Sequence, residues 1–219
     1  IHVLSESVQN QIAAGEVVER PSSVLKELLD NAVDSGADHI EVEISQAGTE
    51  LIRVTDNGSG IERDDLVLST QRHATSKIAC IDDLESLVTM GFRGEALASI
   101  ASVSRFRITT ATSTDDVGSH LVLDGEYENP VIQARAHPQG TTVAVRDLFY
   151  NVPVRREFMK SDKVEMRQIL DVLKKFVLVQ PSIATKLIVD EKERWSQPVA
   201  NDEQAFRDRL EKIMPEGFA

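Results

Sequence analysis

Apolar residues recur with two different periods along the chain, and the change of period divides it into predicted helices and strands. Residues 39–45 alternate apolar and polar side chains, which is the period of a half-buried strand. In residues 24–34 the apolar side chains recur every three to four positions, as they do on a helix. Pro21 suits the first turn of this helix and Gly36 suits its end.

The same patterns predict an α+β fold for the whole chain. Further helices are predicted over residues 5–19, 62–70, 82–89, 95–103 and 156–178. Further strands are predicted over residues 51–55, 106–112, 120–125, 130–136, 141–148 and 184–191, with 39–45 and 51–55 forming a hairpin. Short strands joined largely by turns, with helices inserted, favour α+β over a doubly wound parallel sheet.

Composition narrows the possible classes of protein. No apolar run approaches the ~20 residues that a membrane span needs, so no membrane association is expected. The single cysteine, Cys80, excludes an internal disulfide and favours a reducing, cytosolic location, and a structural zinc site is not expected. The net charge of −12 argues against non-specific coating of nucleic acid, although it permits a local basic patch.

One side of the helix over residues 24–34 carries acids and an amide. Residues three and four apart are neighbours on a helix, so Glu27, Asp30, Asn31 and Asp34 share this side. A solvated acidic face is one interpretation. The other is a site for a metal and a water, because an Asn oxygen suits Mg²⁺ and Glu27, one turn away (~5.4 Å), could hold an attacking water.

The stretch TDNGSGI, residues 55–61, has two interpretations. Asn-Gly is typical of a tight hairpin turn. Alternatively, Asp56 could accept a hydrogen bond from an exocyclic amine, while Gly58 and Gly60 let a planar base lie against the backbone.

The stretch GFRGEALASI, residues 91–100, places a glycine loop before a predicted helix. Such a loop presents free N–H groups to an anion, although this stretch taken alone favours the alternative, a plain loop-to-helix joint. It is not a P-loop, because no G-K-[ST] follows.

Six stretches together resemble, in order, the motifs of MutL-type DNA mismatch repair proteins. They extend from residue 10 to about residue 158 and read NQIAAGEVVERP, KELLDNAVDSGA, DNGSGI, RHATSKI, GFRGEALASI and GTTVAVRDLFYNVPVRREF. GFRGEAL and LFYNVPVRR distinguish the chain from gyrase, the Hsp90 chaperones and histidine kinases, which share only the looser ATP-site pattern.

This resemblance implies a GHKL (Bergerat) ATPase sandwich, with a mixed, mostly antiparallel sheet and helices on one face. It implies an N-terminal arm at 1–20, the ATPase domain at 21–195, and at 196–219 a linker and the start of a second, α/β domain. The implied activity is slow, Mg²⁺-dependent hydrolysis of ATP to ADP and phosphate. Ordering of a lid (about 71–94) and ATP-driven formation of a homodimer or related heterodimer would relay mismatch recognition to downstream repair enzymes. The implied location is the cytoplasm, or the nucleus in a eukaryote.

The resemblance also implies roles for individual residues. Glu27 resembles the general base, Asn31 the Mg²⁺ ligand and Asp56 the carboxylate that reads adenine. Gly58, Gly60 and Thr142 would line the base pocket. The implied lid and phosphate contacts are Ala74, Thr75, Ser76, Lys77, Gly91, Phe92, Arg93, Gly94, Glu95, Ala96 and Leu97. The chain departs from the family at residues 30–32, where it reads DNA in place of the usual ENS.

A DNA contact is expected from a basic stripe on the helix predicted at 156–178. At 100° per residue its members fall within roughly 60° of one another; they are Arg156, Lys160, Lys163, Arg167 and Lys174. Arg155 and Arg156 form an equally good basic candidate. Such side chains would bind the backbone of duplex or single-stranded DNA without reading sequence. A solvated helix face with ordinary ion pairs is the alternative.

Two other functions remain open. One is a GHKL ATPase of another class, such as a topoisomerase or a chaperone, which GFRGEAL and NVPVRR disfavour. The other is a non-catalytic ATP-binding or interaction module, which Glu27 disfavours.

Overall fold

The computed structural model describes residue 15 and residues 18–72, 74, 94–124 and 130–213. Most of the predicted helix at 5–19, all of the one at 82–89, most of the lid, and Cys80 lie outside the described residues.

Helices and strands alternate along the described chain. The helices are α1 (Pro21–Asp34), α2 (Asp65–Leu68), α3 (Ala96–Ser102), α4 (Pro153–Phe158), α5 (Asp162–Val179) and α6 (Glu203–Ile213), with a short 3₁₀ turn at Gln46–Gly48. The strands are β1 (His39–Ser45), β2 (Leu51–Asp56), β3 (Arg105–Ala111), β4 (Ser119–Asp124), β5 (Ile132–Ala134), β6 (Gly140–Arg146), β7 (Ala184–Val189) and β8 (Lys192–Gln197).

All eight of these strands join one sheet, in the order β5-β4-β3-β6-β2-β1-β7-β8. The hairpin predicted for β1 and β2 is confirmed, with Val42 opposite Val54. Every pair is antiparallel except β1 with β7, which is parallel. The predicted α+β fold with a mixed, mostly antiparallel sheet is therefore confirmed.

The register aligns apolar side chains into a row that crosses six strands. Residues directly opposite each other in a sheet lie on the same face. The row comprises Leu187, Val42, Val54, Val143, Ile108 and Leu121, all of them buried. Buried residues of α1, α3 and α5 join the same core cluster, so these helices cover this face, which we call the helix face.

Helix α1 forms where its sequence predicts. Pro21 occupies its first turn, as the fixed φ of proline allows. Gly36 follows its end with φ +76°, in the left-handed region where a Cβ is unfavourable. Between them Val24, Leu25 and Leu28 face the core, and burying each such side chain contributes about 1.5–3 kcal/mol.

The single helix predicted over residues 156–178 is wrong, because the chain forms two helices there. α4 ends at Phe158, Met159 is extended (φ −63°, ψ 147°), and α5 begins at Asp162. The buried carboxylate of Glu165 accepts a hydrogen bond from the backbone N–H of Lys160 at 3.0 Å, which fixes the connection.

Helix α6 packs on the C-terminal end of α5 through one arginine. The Arg209 side chain is 2% exposed and donates hydrogen bonds to the carbonyls of Val177 at 2.7 Å and of Gln180 and Ile183 at 3.2 Å, and to that of Pro198. The domain boundary at residue 196 stays a prediction. Within the described part of the chain, no helix has the length and apolarity to cross a membrane.

Candidate functional site

Two side chains of α1 and one directly after its end form a line that leads to the end of β2. Glu27, Asn31 and Ser35 follow one another at intervals of four residues, so they lie on the same side of the helix. The Ser35 hydroxyl lies 3.4 Å from Oδ1 of Asp56. At ~1.5 Å per residue, the eight positions from Glu27 to Ser35 span roughly 12 Å, so the line runs from a half-buried carboxylate to a second one.

Asp56 ends β2 on the helix face and is partly buried. Burial raises the pKa of its carboxyl above 3.8, because desolvation disfavours the charged form. The hydrogen bonds that it accepts from the backbone N–H groups of Gly58 (2.9 Å) and Thr141 act in the opposite direction. An acceptor held in this way suits a ligand that donates a hydrogen bond.

The Asn-Gly pair after Asp56 does not form the hairpin turn that was the alternative interpretation. The Asn57 side chain instead accepts hydrogen bonds from the backbone N–H groups of Asp38 (3.1 Å) and His39 (2.9 Å), which ties this loop to the start of β1. A hairpin turn would lead directly into a paired strand, but β2 is followed by α2. Its second neighbour in the sheet, besides β1, is β6.

Internal packing requires glycine at both predicted base-pocket positions. A Cβ at Gly58 would overlap the Ser35 hydroxyl, and one at Gly60 would overlap the carbonyl of Ala111. Gly60 also has φ +76°, a conformation that other residues rarely adopt. The two glycines let the loop approach α1 and β3 closely, and a contact with a base stays a prediction.

The acidic side of α1 has a cation beside it. Lys26 Nζ lies 2.6 Å from Oδ2 of Asp30 and 4.0 Å from Oε1 of Glu27. The hydrogen bond to Asp30 raises the pKa of Lys26. The buried Asp30, 9% exposed, therefore has a positive charge beside it within the protein.

The structure contradicts the prediction that Thr142 faces the base pocket. Thr142 lies on the face opposite to Asp56, where its hydroxyl bonds Thr55 at 3.0 Å and His137 at 2.9 Å. Thr141 is the residue directly opposite Asp56 in the register. Successive strand residues point to opposite faces, so Thr141, and not Thr142, shares the face of Asp56.

The glycine loop is described only at its end. Gly94 (φ +59°) and Glu95 lead into α3, and both are half-buried, as are Ala96, Leu97 and Ala74. The other predicted lid and phosphate contacts lie outside the described residues: Thr75, Ser76, Lys77, Gly91, Phe92 and Arg93.

The donor set on α1 fits a metal that is shared with a ligand. Among the described residues, no three His, Cys, Asp or Glu side chains gather to hold a metal ion. Mg²⁺ commonly takes one or two protein oxygens and completes its shell with phosphate and water. The amide oxygen of Asn31, the one Mg²⁺ ligand predicted from the sequence, is a suitable protein oxygen for such a site.

The structure divides the predicted basic stripe. Arg156 is on α4 and Lys160 is in the connection, so neither shares the helix of Lys163, Arg167 and Lys174. Those three are exposed and fall within about 40° of one another on α5.

Arg155 makes an internal contact. It donates a hydrogen bond to the Val18 carbonyl at 3.2 Å and lies over the Phe149 ring at 5.8 Å. The prediction of Arg155 as a DNA contact is therefore not supported by its position, whereas Arg156 is exposed.

Reasoning from sequence misses three residues of the site. The spacing of Ser35, four residues after Asn31, is the signal that could have placed it on the same line. Thr141 differs from Thr142 only through the register of β6, which no local signal gives. Lys26 could have been found from its i,i+4 spacing to Asp30.

Comparisons with known proteins agree with this geometry. A family model described as histidine kinase-, DNA gyrase B- and HSP90-like ATPase matches residues 19–140. The DNA mismatch repair protein MutL of Cellvibrio japonicus is 52% identical over 187 residues, which cover 85% of this chain and 30% of that protein. The MutL protein of Pseudomonas fluorescens is 48% identical over 218 residues, 100% of this chain and 34% of that protein. The chain thus spans about a third of the length of these curated relatives.

Solved structures show the same fold. The Aquifex aeolicus MutL ATPase domain complexed with ADP matches with a TM-score of 0.70 and 32% identity, covering 90% of this chain and 69% of that one. The N-terminal domain of a DNA repair protein matches with a TM-score of 0.76 and 27% identity, covering 95% and 60%.

Proposed function

Because this chain belongs to the MutL family of DNA mismatch repair proteins, within the histidine kinase-, gyrase B- and HSP90-like ATPases, we propose that it binds ATP and hydrolyses it slowly to ADP and phosphate. The observation that carries the proposal is the line from Glu27 through Asn31 and Ser35 to Asp56. On this proposal Asp56, beside the C-terminal end of α1, accepts adenine, and Glu27, near the middle of the same helix, holds the attacking water.

At the adenine end, Asp56 accepts a hydrogen bond from the exocyclic amine of the base. The Gly58 N–H holds the carboxylate in place, the Ser35 hydroxyl lies 3.4 Å from it, and Thr141 lies beside it on the same face. These contacts select adenine over bases that lack a donor at this position, because part of the hydrogen-bonding capacity of the partly buried carboxylate would then be unused.

At the phosphate end, Glu27 accepts a proton from a water as the water oxygen bonds to the γ-phosphorus. The bond from that phosphorus to the β–γ bridging oxygen breaks, and ADP leaves with the electron pair. Asn31 would hold Mg²⁺, which when bound neutralises charge on the phosphates. The backbone N–H groups of residues 92–97 are proposed to contact the phosphates.

We further propose that nucleotide binding orders the lid at 71–94 and favours a homodimer or related heterodimer. In that state the protein would relay mismatch recognition to downstream repair enzymes, in the cytoplasm. The names of the relatives support the repair role. DNA would contact the exposed cations Arg156, Lys160, Lys163 and Arg167 weakly and without reading sequence.

The test separates binding from chemistry at α1. Glu27→Ala should bind ATP nearly as well as the parent, because the proposed adenine acceptor Asp56 and the proposed Mg²⁺ ligand Asn31 remain. Its single-turnover hydrolysis should fall ~10²–10⁴-fold, the usual effect of losing a positioned general base. Asn31→Ala should lose nucleotide binding and hydrolysis together.

ATP affinity and single-turnover hydrolysis should be measured side by side for both variants. Ser23→Ala, at a half-buried site in the first turns of the same helix, is the control and should leave both unchanged. Normal hydrolysis in Glu27→Ala would favour the non-catalytic module, and equal loss of binding in both variants would refute the separate roles.

A further inference from the structure

The sheet face opposite the helix face, here called the open face, is polar in its centre. On β2, β6 and β3 the side chains of this face belong to Arg53, Thr55, Thr142, Ala144, Arg146, Arg105, Arg107 and Thr109, besides the buried Leu51 and Ala111 at the strand ends. None of them is acidic. In a chain of net charge −12, this is a local concentration of positive charge.

Three of these arginines surround one small residue. Ala144 lies directly opposite Arg53 on one side and Arg107 on the other. Arg146 is two residues further along the same strand and so lies on the same face. Opposite residues have Cβ atoms about 5 Å apart and diagonal ones about 7–8 Å. We call Arg53, Arg107 and Arg146 around Ala144 the arginine patch.

The neighbouring charges leave two of these arginines uncompensated. Arg53 pairs with Glu43 on β1. Arg105, opposite Arg146, is held by Asp124 at 3.7 Å and Asp147 at 3.3 Å. Among the described residues, neither Arg107 nor Arg146 has an ion pair or a side-chain hydrogen bond, although both are half-buried.

The positive charges of Arg107 and Arg146 lie close together, and a bound anion would offset their repulsion. Like charges placed opposite each other destabilise a sheet, and a partly desolvated guanidinium loses hydration without gaining a partner. The pKa of the neighbouring His120 is lowered, mainly by burial and then by the positive charges of Arg135 and Arg107. A neutral His120 adds no further repulsion.

We propose that the arginine patch binds phosphate groups of a DNA backbone, as a second DNA contact on the sheet face opposite α5. Arginine forms paired hydrogen bonds with phosphate oxygens, and Ala144 leaves room for a phosphate to approach between the side chains. The inference rests on the proposed function only for the identity of the ligand as DNA.

The chemistry of the open face favours nucleic acid over an acidic protein. Protein interfaces bury an apolar core with aromatic anchors, whereas DNA interfaces are polar and positively charged. The described central strands offer no exposed apolar side chain larger than alanine on this face.

The test is the double variant Arg107→Glu, Arg146→Glu of the whole chain. Binding of a fluorescently labelled duplex of mixed sequence is measured by polarisation from about 50 to 200 mM salt. The dissociation constant should rise about tenfold at low salt, and the slope of log K against log salt should flatten by about two, near 0.9 for each lost phosphate contact. ATP-analogue affinity should not change, which separates this result from a failure of the proposed nucleotide site.

Two matched variants and one competitor make the test decisive. Arg207→Glu, Lys212→Glu on α6 changes the net charge equally and should leave the slope unchanged. If the first variant melts at a lower temperature than the parent, the double variant Arg107→Gln, Arg146→Gln replaces it. The slope of log K against log salt is then compared for this variant and the parent. An unchanged slope, or equal weakening by the α6 control, overturns the proposal. Retained duplex affinity with lost binding of polyglutamate would assign the patch to an acidic protein and also overturn it.

Discussion

Folding and the proposed binding of adenine make opposite demands on Asp56. Its folded pKa lies above the ordinary 3.8, with burial as the main cause. In the pH range between the unfolded and folded pKa values, the folded protein therefore binds more protons than the unfolded one. Its contribution to the free energy of unfolding is largest below 3.8 and is lost as the pH rises through the folded pKa.

Asp56→Asn should consequently be at least as stable as the parent at neutral pH, although its nucleotide affinity should fall sharply. Asparagine keeps an oxygen for the Gly58 N–H but carries no charge to desolvate. Urea denaturation at several pH values would show a stability gain that grows from about pH 4 upward, in line with the linkage sign. Ser59→Ala, an exposed neighbour in the same loop, is the control, and lower stability of Asp56→Asn at pH 7 would contradict the argument.

Much of the residue-level site follows from local sequence, and the remainder depends on register. The four-residue spacing of Glu27 and Asn31 is enough to predict that they are neighbours on one helix. The choice between Thr141 and Thr142 depends on how β6 aligns with β2, and a one-residue shift moves a side chain to the other face. Arg155 resembles a free cation in the sequence because its acceptor, the Val18 carbonyl, is 137 residues away.

At the scale of elements, periodicity located most helices and strands but missed the break between α4 and α5. Helical spacing continues through residues 159–161, so pattern alone gives one helix. The break depends on tertiary contacts: partly buried Met159 packs against the core, and buried Glu165 bonds the Lys160 N–H. Neither contact can be read from a local window.

The exposed stripe of α5 gives a direct test of the first DNA contact. Lys163→Glu should weaken binding to duplexes of any sequence and flatten the salt slope by about one. Lys175→Glu is the matched control, since it is an exposed lysine on the same helix about 120° away. Equal slopes for the two variants, measured by polarisation, would leave the stripe as an ordinary solvated face.

Arg209 connects α6 to the end of α5, and its chemistry is specific to a guanidinium. Arg209→Lys should lower the free energy of unfolding by roughly 3 kcal/mol, because a single ammonium cannot satisfy carbonyls spread over three segments. Arg207→Lys, exposed on the same helix, should change it by less than about 0.5 kcal/mol. Both are measured by urea denaturation, and similar values would show that Arg209 contributes charge alone.

At the scale of the whole molecule, the sequence predicted the class of sheet but not its strand order. Adjacent strands such as β1 and β2 pair through a short connection, which local turn signals reveal. The pairings of β2 with β6 and of β1 with β7 join segments far apart in sequence. No local pattern encodes which distant strand becomes a neighbour.

The proposed dimer depends on the N-terminal arm, most of which lies outside the described residues. Deleting residues 1–15 should abolish association driven by a non-hydrolysable ATP analogue while the core stays folded, because the described core begins at buried Val18. Sedimentation velocity with and without the analogue measures association, and thermal melting of the shortened chain is the control. A shortened chain that still dimerises with the analogue would exclude the arm from this role.

The ribosome makes the chain from its N-terminus, so β1 is complete long before its parallel partner β7 is made. Glu41 is made early, yet its neighbour Lys186 is made 145 residues later. Until then β1 exposes one unpaired edge, beside the apolar side chains of Ile40 and Val42, and such an edge can recruit strands of other chains. Glu41 and Glu43 place negative charge on this strand, and like charge opposes stacking with a second nascent copy. The strand with the longest delay before pairing among the described strands therefore has acidic side chains that disfavour its aggregation.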